Sequence, residues 1–212
     1  MAITFARGAN ASAASTGTAV SVTLITPTAG NLLVAVISSS TNDSIPAPTG
    51  FTLISTQTQD ATNVAIFSKK ATGSETSVAV TLAAAGAWNI QVMEFTSSLD
   101  VWGPTEANRA QRNVPQAAGT ALSTGTTTAT TFANVVAVAA VTYSGAVQAP
   151  SWSNSFTSNA IIASSTTVYT LAVAYKFVTT TGTQTTTCTV GTSVPSGWTG
   201  AIVCIEEPCQ RS

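Results

Sequence analysis

Histidine is absent from the 212-residue chain, and charged side chains make up only 7% of it, against about 25% in an average soluble domain. Without histidine, a Ser-His-Asp or Cys-His catalytic arrangement is excluded. General acid–base chemistry would fall to eight carboxylates, three tyrosines and the lysines. The carboxylates do not cluster, and the adjacent Glu206 and Glu207 would point to opposite faces of a strand. We therefore expect no enzymatic activity.

Cysteine is scarce as well: Cys188, Cys204 and Cys209 are the three cysteines, and none forms a C-x-x-C pair. This is not a zinc-ligand pattern, so we expect Cys188 and Cys204 to be small buried hydrophobic residues, with a disulfide as the less favoured alternative. Asp43, in STNDS, has oxygen ligands beside it and could bind calcium weakly, but stabilisation of its loop is favoured. No phosphate-binding glycine loop is present. We expect neither a metal nor a cofactor.

The chain also lacks a charge imbalance and a long apolar run. Its formal net charge is −1, and it has no basic run to drive nucleic-acid binding by counterion release. The longest apolar runs, such as NLLVAVI and NVVAVAAV, are far shorter than the roughly 20 residues that span a bilayer. The start, MAITFARGAN, lacks the pattern of a secretion signal. The sequence thus predicts no nucleic-acid partner, no membrane partner, and synthesis in a cytoplasm.

Threonine is abundant instead, above all in TTTGTQTTTCTV at residues 179–190. Its branched side chain suits a pleated strand, and its hydroxyl keeps an exposed face hydrated without charge. A neutral strand edge does not repel a neighbouring chain as a charged edge does. We therefore expect Thr185 and Thr187 to contact a partner, which favours a unit of an assembly.

The two halves of the sequence are related by an internal repeat with an offset of about 100 residues. GTAVS lies over GTALS, NLLVAV over NVVAVA, APTGF over APSW, and AWNIQVMEF over GWTGAIVCI. The equivalent residues are Asn31 and Asn134, Pro48 and Pro150, Phe51 and Trp152 (approximately), Lys69 and Lys176, Gly73 and Gly182, and Trp88 and Trp198.

The repeated residues have structural interpretations. Gly73 and Gly182 are predicted to lie in hairpin turns at positive φ, and the two prolines are predicted to lie at strand entrances or edges. Trp88 and Trp198 are predicted to anchor the core, although a platform for a sugar or a partner is the alternative. In the first half, strands are predicted near 3–6, 18–25, 31–38, 51–57, 63–70, 76–82 and 88–95.

The predicted fold is all-β, with two tandem, repeat-related β-sandwich lobes that are Ig-like or jelly-roll-like. The lobes are residues 1–97 and 116–206, joined by a connector at 98–115 and followed by a tail at 207–212; one continuous sandwich of interleaved strands is the alternative. The connector holds an unusual share of the charge and two prolines, which is typical of a surface segment, and TEANRAQR favours a short helical turn. Its candidate partner contacts are Trp102, Glu106, Arg109 and Arg112.

The series GNLLVAVISSS, PAPTGFTLIS, AIFSKKATG and WNIQVMEF, with a weaker second copy ending in SGWTGAIVCIEE, resembles β-sandwich proteins of tailed-bacteriophage structural gene clusters and of some bacterial surfaces. The chain is most similar to capsid decoration, or cement, proteins. The resemblance implies a virion protein, assembled in the host bacterial cytoplasm, that lies on the outer capsid surface, commonly as a trimer. Its partner would be the major capsid protein lattice, which it would stabilise.

A tail-fibre or carbohydrate-binding surface module is the alternative. Such a module would stack host glycans on exposed aromatic side chains. Trp102, Trp152 and Tyr143 are the candidates for that role.

Overall fold

The computed structural model describes residues 3–13, 17–59, 62–96, 108–111, 118–130, 133–145, 148–164, 169–195 and 197–206. All elements of regular secondary structure in these ranges are β-strands, which confirms the predicted all-β class. The strands are β1 (Thr4–Ala13), β2 (Ala19–Thr23), β3 (Leu32–Ser39), β4 (Thr52–Gln59), β5 (Thr62–Lys70), β6 (Ser77–Thr81), β7 (Trp88–Thr96), β8 (Asn108–Gln111), β9 (Gly119–Thr126), β10 (Val135–Tyr143), β11 (Ser151–Trp152), β12 (Thr157–Ala163), β13 (Thr170–Val178), β14 (Thr185–Val194) and β15 (Thr199–Glu206).

The strands form four antiparallel sheets, which stack as four layers. The first large sheet has the order β1-β7-β3-β5-β4, and the second large sheet has the order β12-β13-β10-β15-β8. The first small sheet, β2-β6, covers the outer face of the first large sheet. The second small sheet, β11-β14-β9, covers the outer face of the second large sheet. Each small sheet and its large sheet thus make one β-sandwich lobe.

A central core joins the two lobes, because the large sheets pack against each other through their inner faces. It contains buried side chains from both halves, among them Val34 and Ile66 from the first and Val138 and Val203 from the second. The inner strands β3, β5, β7 and β10 are therefore buried on both faces over most of their length, as in LLVAVISS of β3, where all eight residues are buried. Strands β2 and β6 have one buried face, and their residues alternate between exposed and buried. A continuous apolar run is typical of the first kind of strand and alternation of the second.

The two large sheets have the same strand order. If β1, β7, β3, β5 and β4 are matched in turn with β8, β15, β10, β13 and β12, each neighbour pair of the first sheet has its counterpart in the second. The small sheets match as well, with β2 and β6 equivalent to β9 and β14, while β11 has no counterpart. Across the central core, β1 packs on β12 and β4 on β8, as an approximate two-fold axis requires. This order supports the predicted repeat.

All seven strands predicted in the first half are present, close to their predicted bounds. The first is longer than predicted and continues to Ala13, because β7 provides a pairing partner along a segment whose alternation involves only small residues, with Ala9, Ala11 and Ala13 on the half-buried face. Asn108–Gln111, for which we predicted connector and a helical turn, instead form β8 on the edge of the second large sheet. Pairing with β15 outweighs the weak helical preference of these residues.

The structure changes two of the predicted equivalences. Leu32 pairs with Phe95, and Val136 pairs with Ile205, and all four side chains face the central core. Leu32 is thus the equivalent of Val136, so the proposed match of Asn31 with Asn134 is wrong by one residue. A shift of one residue in a strand moves every side chain to the other face of the sheet.

The second change concerns Phe51, which was matched approximately with Trp152. Phe51 comes directly before β4, and its N–H donates to Pro48 O at 2.9 Å; Phe156 comes directly before β12, and its N–H donates to Ser153 O at 3.3 Å. Phe156 is therefore the structural equivalent of Phe51. Trp152 belongs to β11, the additional strand of the second half.

The turn and core predictions are largely correct. Gly73 and Gly182 have φ values of +83° and +146°, as predicted, but their turns are not hairpins, since each connects a large sheet to a small sheet. Trp88 and Trp198 are 7% and 3% exposed and pack in the cores of the first and second lobe. Both tryptophans are core residues, as predicted.

Candidate interaction surfaces and a buried ion pair

The candidate contacts of the connector fall mostly beyond the described residues. Trp102, Glu106 and Arg112 lie outside them. Arg109 lies in β8, where it is paired with Val203 of β15. Within the described residues, β8 is an edge strand of the second large sheet, and it lies next to β4.

Thr185 and Thr187 lie together on the outer face of the second small sheet, with Thr185 exposed and Thr187 half-buried. The expectation of a strand edge is wrong, because β14 lies between β9 and β11. The Thr185 hydroxyl donates to Gly125 O at 2.7 Å, and Thr187 N donates to the Ser153 hydroxyl at 2.9 Å. The two threonines therefore belong to an outer sheet face and not to a strand edge, and this face has no charged residue on β9, β11 or β14.

The outer face of the first small sheet has the same character. It consists of small side chains in three cross-strand pairs, namely Ala19 with Thr81, Ser21 with Ala79, and Thr23 with Ser77. All six are exposed, and none is charged. The four-layer stack thus ends in a neutral Ser, Thr and Ala face on both sides.

An aromatic cluster lies at one end of the contact between the lobes. Phe5 stacks on Tyr175 with ring centres 5.1 Å apart, Phe95 contacts Tyr175 edge-on at 5.6 Å, and Phe177 lies 5.3 Å from Tyr175. Phe177 is 37% exposed, and Phe5 and Tyr175 are half-buried. Sequence reasoning missed this cluster, although Tyr175 and Phe177 continue the alternation of apolar residues along β13.

The aromatic residues proposed for glycan stacking lie elsewhere. Tyr143 is fully buried in the second lobe, so its prediction as an exposed platform is wrong. Trp152 is half-buried and packs against the core of the second lobe. Trp102 lies outside the described residues.

A polar network joins the lobes at the opposite end of the central core. The buried Tyr169 hydroxyl donates to Ser39 O at 2.6 Å and accepts from Asn63 N at 3.2 Å. The Thr62 hydroxyl bonds Gly197 O at 2.7 Å. Burial raises the pKa of Tyr169 well above its usual value. These bonds hold buried polar groups of one half against the other and fix how the large sheets face each other.

A buried ion pair lies on the outer side of the first large sheet. Glu94 is 3% exposed, and its Oε2 lies 2.7 Å from Arg7 Nε. Its Oε1 accepts hydrogen bonds from Thr28 N at 2.9 Å and from Asn31 Nδ2. The pair borders a pocket of about 120 Å³ that is otherwise mainly apolar, with Ile25 on its wall. Sequence reasoning missed this site, because Arg7 and Glu94 are 87 positions apart and their pairing depends on the register of β1 and β7.

The remaining candidates have ordinary surroundings. Cys188 and Cys204 are buried, as predicted, and neither is in a disulfide. Burial raises the pKa of Cys188 to about 12; Cys209 lies outside the described residues. Asp43 is exposed, and its backbone carbonyl accepts a hydrogen bond from Asn63. In the described part of the chain, no three Cys, Asp or Glu side chains are grouped as a metal site. The same residues include no long apolar helix that could cross a membrane.

Comparisons of the chain with protein-family models, with curated protein sequences and with solved structures found no match.

Proposed function

We propose that the chain is a non-enzymatic virion structural protein of the capsid decoration, or cement, type. The observation that carries this proposal is the pair of neutral Ser, Thr and Ala faces at the two ends of the four-layer stack. Small uncharged side chains on a flat sheet let another protein surface approach closely, without charges that must first be desolvated. We take this other protein surface to be the capsid lattice, because the sequence resembles phage β-sandwich proteins.

The two kinds of surface have different tasks in this proposal. The connector, through Trp102, Glu106, Arg109 and Arg112, contacts the major capsid protein and provides specificity through its charges, while backbone, hydroxyl and apolar contacts provide most of the attachment. The face with Thr185 and Thr187 packs copy against copy in a trimer. The protein would thus join neighbouring capsomers on the outside of the head.

The proposal is tested by adding purified protein to undecorated phage heads and raising the salt from about 0.05 to about 1 M. Screening shortens the reach of surface charges from more than 10 Å to about 3 Å over this range, whereas burial of apolar surface does not weaken in this way. We expect the protein to stay bound throughout. Failure to bind heads, or release at moderate salt, would contradict cementing by close packing.

A double variant, Thr185→Lys with Thr187→Lys, tests the role of the neutral face. Two added positive charges on a closely packed face repel the neighbouring copy. We therefore expect the assembly to dissociate at low salt, which light scattering measures as a lower molecular mass. Thr52→Lys with Thr56→Lys is the matched control, since both residues are exposed on β4, which belongs to neither small sheet. Equal behaviour of the two double variants would remove this face from the proposed assembly.

Glycan recognition by a tail-fibre or carbohydrate-binding module is the second candidate, and the aromatic cluster favours it. Phe177 and Tyr175 present rings at the surface, and exposed aromatic rings can stack on a sugar. Binding to a glycan array, without binding to heads, would put this candidate first.

A further inference from the structure

The pocket beside Arg7 and Glu94 has the composition of a small-molecule site. Its walls are mainly apolar, with Leu24, Pro27 and Val92 among the lining residues, and Arg7 and Glu94 provide the charged groups. Ligand sites in proteins generally combine apolar walls with a few fixed polar groups. Arg7 forms an ion pair with Glu94, with Nε and Oε2 2.7 Å apart.

The second lobe shows that the fold does not require this ion pair. Glu94 pairs with Arg7 on one side and Leu33 on the other, whereas Cys204, at the equivalent place, pairs with Asn108 and Ala137. Cys204 is a buried member of an apolar cluster. Burying the carboxylate of Glu94 costs desolvation free energy that a buried thiol avoids. The first lobe therefore retains charges at a position where the second lobe folds without them.

The guanidinium of Arg7 has capacity for a further anion. Its Nε lies 2.7 Å from Glu94 Oε2 as an ion-pair contact, the side chain is 37% exposed, and within the described residues no hydrogen bond is made by its two Nη groups. Glu94 Oε1 accepts hydrogen bonds from Thr28 N and Asn31 Nδ2, whereas Oε2 has the Arg7 contact and, among the described residues, no hydrogen-bond donor. Arginine binds carboxylates through paired N–H groups, so an incoming carboxylate would meet the donors of Arg7 and not the carboxylate of Glu94.

We propose that this pocket binds a small aliphatic carboxylic acid, with the carboxylate on the Nη groups of Arg7 and the hydrocarbon tail against Leu24, Pro27 and Val92. The pocket volume of about 120 Å³ is well below that of a site for a drug-sized ligand, so the ligand that we propose has a short, branched tail. Among the described lining residues, none belongs to the connector or to β14, and Thr23 alone belongs to the outer face of the first small sheet.

The test is a titration of ¹⁵N-labelled protein with 3-methylbutanoate, followed by amide chemical shifts. We expect saturable shifts at Ala9 and at Thr23–Ile25. The alcohol 3-methylbutan-1-ol has nearly the same tail without the charge, and we expect it to bind at least about tenfold more weakly, since it cannot form the charged hydrogen bonds to Arg7. Equal affinity for acid and alcohol would overturn the role of Arg7.

Three variants separate the contributions of charge and shape. Arg7→Gln alone leaves a buried uncompensated carboxylate, so the double variant Arg7→Gln with Glu94→Gln is used, and it should bind acid and alcohol equally weakly. Ala9→Leu fills the pocket and should abolish both shifts. Lys70→Gln is the control: it removes one positive charge on β5, outside the pocket lining, and should bind the acid like the parent.

Two outcomes would overturn the proposal. The first is the absence of saturable shifts at the pocket amides of the folded parent protein. The second is unchanged acid binding in the folded double variant or in Ala9→Leu, because either result would place the acid elsewhere on the protein.

Discussion

Lys176 lies over the ring of Phe156, with its Nζ 5.9 Å from the ring centre. Lys69 lies over Phe51 at 5.8 Å. The two lysines are the pair matched by the sequence repeat, and each phenylalanine directly precedes an equivalent strand. An ammonium group over an aromatic face is stabilised by the ring quadrupole. The same cation–π contact thus recurs in both lobes and supports their predicted relationship at the level of side chains.

Each lysine also contacts a second side chain, which is Glu75 in the first lobe and Gln184 in the second. Because only Glu75 is ionisable, this difference predicts that stability depends on pH. Lys69 Nζ lies 2.9 Å from Glu75 Oε1, whereas Lys176 Nζ donates to Gln184 Oε1 at 3.2 Å. Burial raises the pKa of Glu75, but hydrogen bonds from Lys69 and Thr72 outweigh it and lower this pKa to about 2. Between pH 4.5 and about 2, the unfolded chain therefore binds more protons than the folded chain at this residue.

The contribution of Glu75 to stability is thus fully present above pH 4.5 and is lost as the pH falls toward 2. We expect urea unfolding to show a decrease in the free energy of unfolding over this range, and Glu75→Gln to show a smaller decrease. Gln184→Glu, which copies the first lobe into the second, should make the decrease larger. An identical acid dependence in the parent and in Glu75→Gln would contradict the assignment.

Trp88→Ala and Trp198→Ala should each lower the free energy of unfolding by about 3–5 kcal/mol, the cost of emptying a large aromatic site in a core. The two side chains lie in different cores on opposite sides of the stack, so their effects should add within about 0.5 kcal/mol. Chemical denaturation of the parent, both single variants and the double variant measures this. Variants that unfold like the parent but lose sugar binding would show that the tryptophans are platforms.

The strands were predictable from sequence, because alternation in β6 and the positive-φ glycines at 73 and 182 are local signals. The central core was not predicted, although its signal was present: LLVAVISS and VVAVAAVTY are apolar on both faces of their strands. A strand of that kind needs a layer on each side. The relative arrangement of the lobes follows from this requirement.

The sites were harder to predict, because they depend on pairing between distant segments. The equivalence of Phe51 with Phe156 was hidden by the insertion of β11, which brings Trp152 to the place where an aromatic residue was expected. The bond between Arg7 and Glu94 depends on the register of the whole β1–β7 pair. No local pattern contains this information.

Tyr169→Phe should lower the free energy of unfolding by about 1–3 kcal/mol, the cost of leaving buried hydrogen-bonding groups unsatisfied. The hydroxyl bonds Ser39 O and Asn63 N in the other lobe, so amide hydrogen exchange at Asn63 should become faster in the variant. Tyr175→Phe is the matched control, because its ring is half-buried and loss of its hydroxyl should cost less than about 0.5 kcal/mol. Equal stabilities of the two variants would show that the network does not stabilise the contact between the lobes.

Phe177→Lys places in the second lobe the residue that the first lobe has at the equivalent position, Lys70. Because the Phe177 ring is 37% exposed, we expect a loss of about 1 kcal/mol in the free energy of unfolding, from its contacts with neighbouring rings. Leu53→Lys is the control with the same charge change, since Leu53 is 43% exposed on β4.

This substitution also separates the two candidate functions. If the neutral outer faces carry the assembly, Phe177→Lys should bind phage heads like the parent and like Leu53→Lys, because the aromatic cluster lies at the end of the central core and not on a small sheet. Head binding and a glycan array are measured on the same preparations. A glycan signal that Phe177→Lys removes and Leu53→Lys retains would identify the aromatic cluster as the binding site, and glycan recognition would then replace capsid decoration as the proposed function.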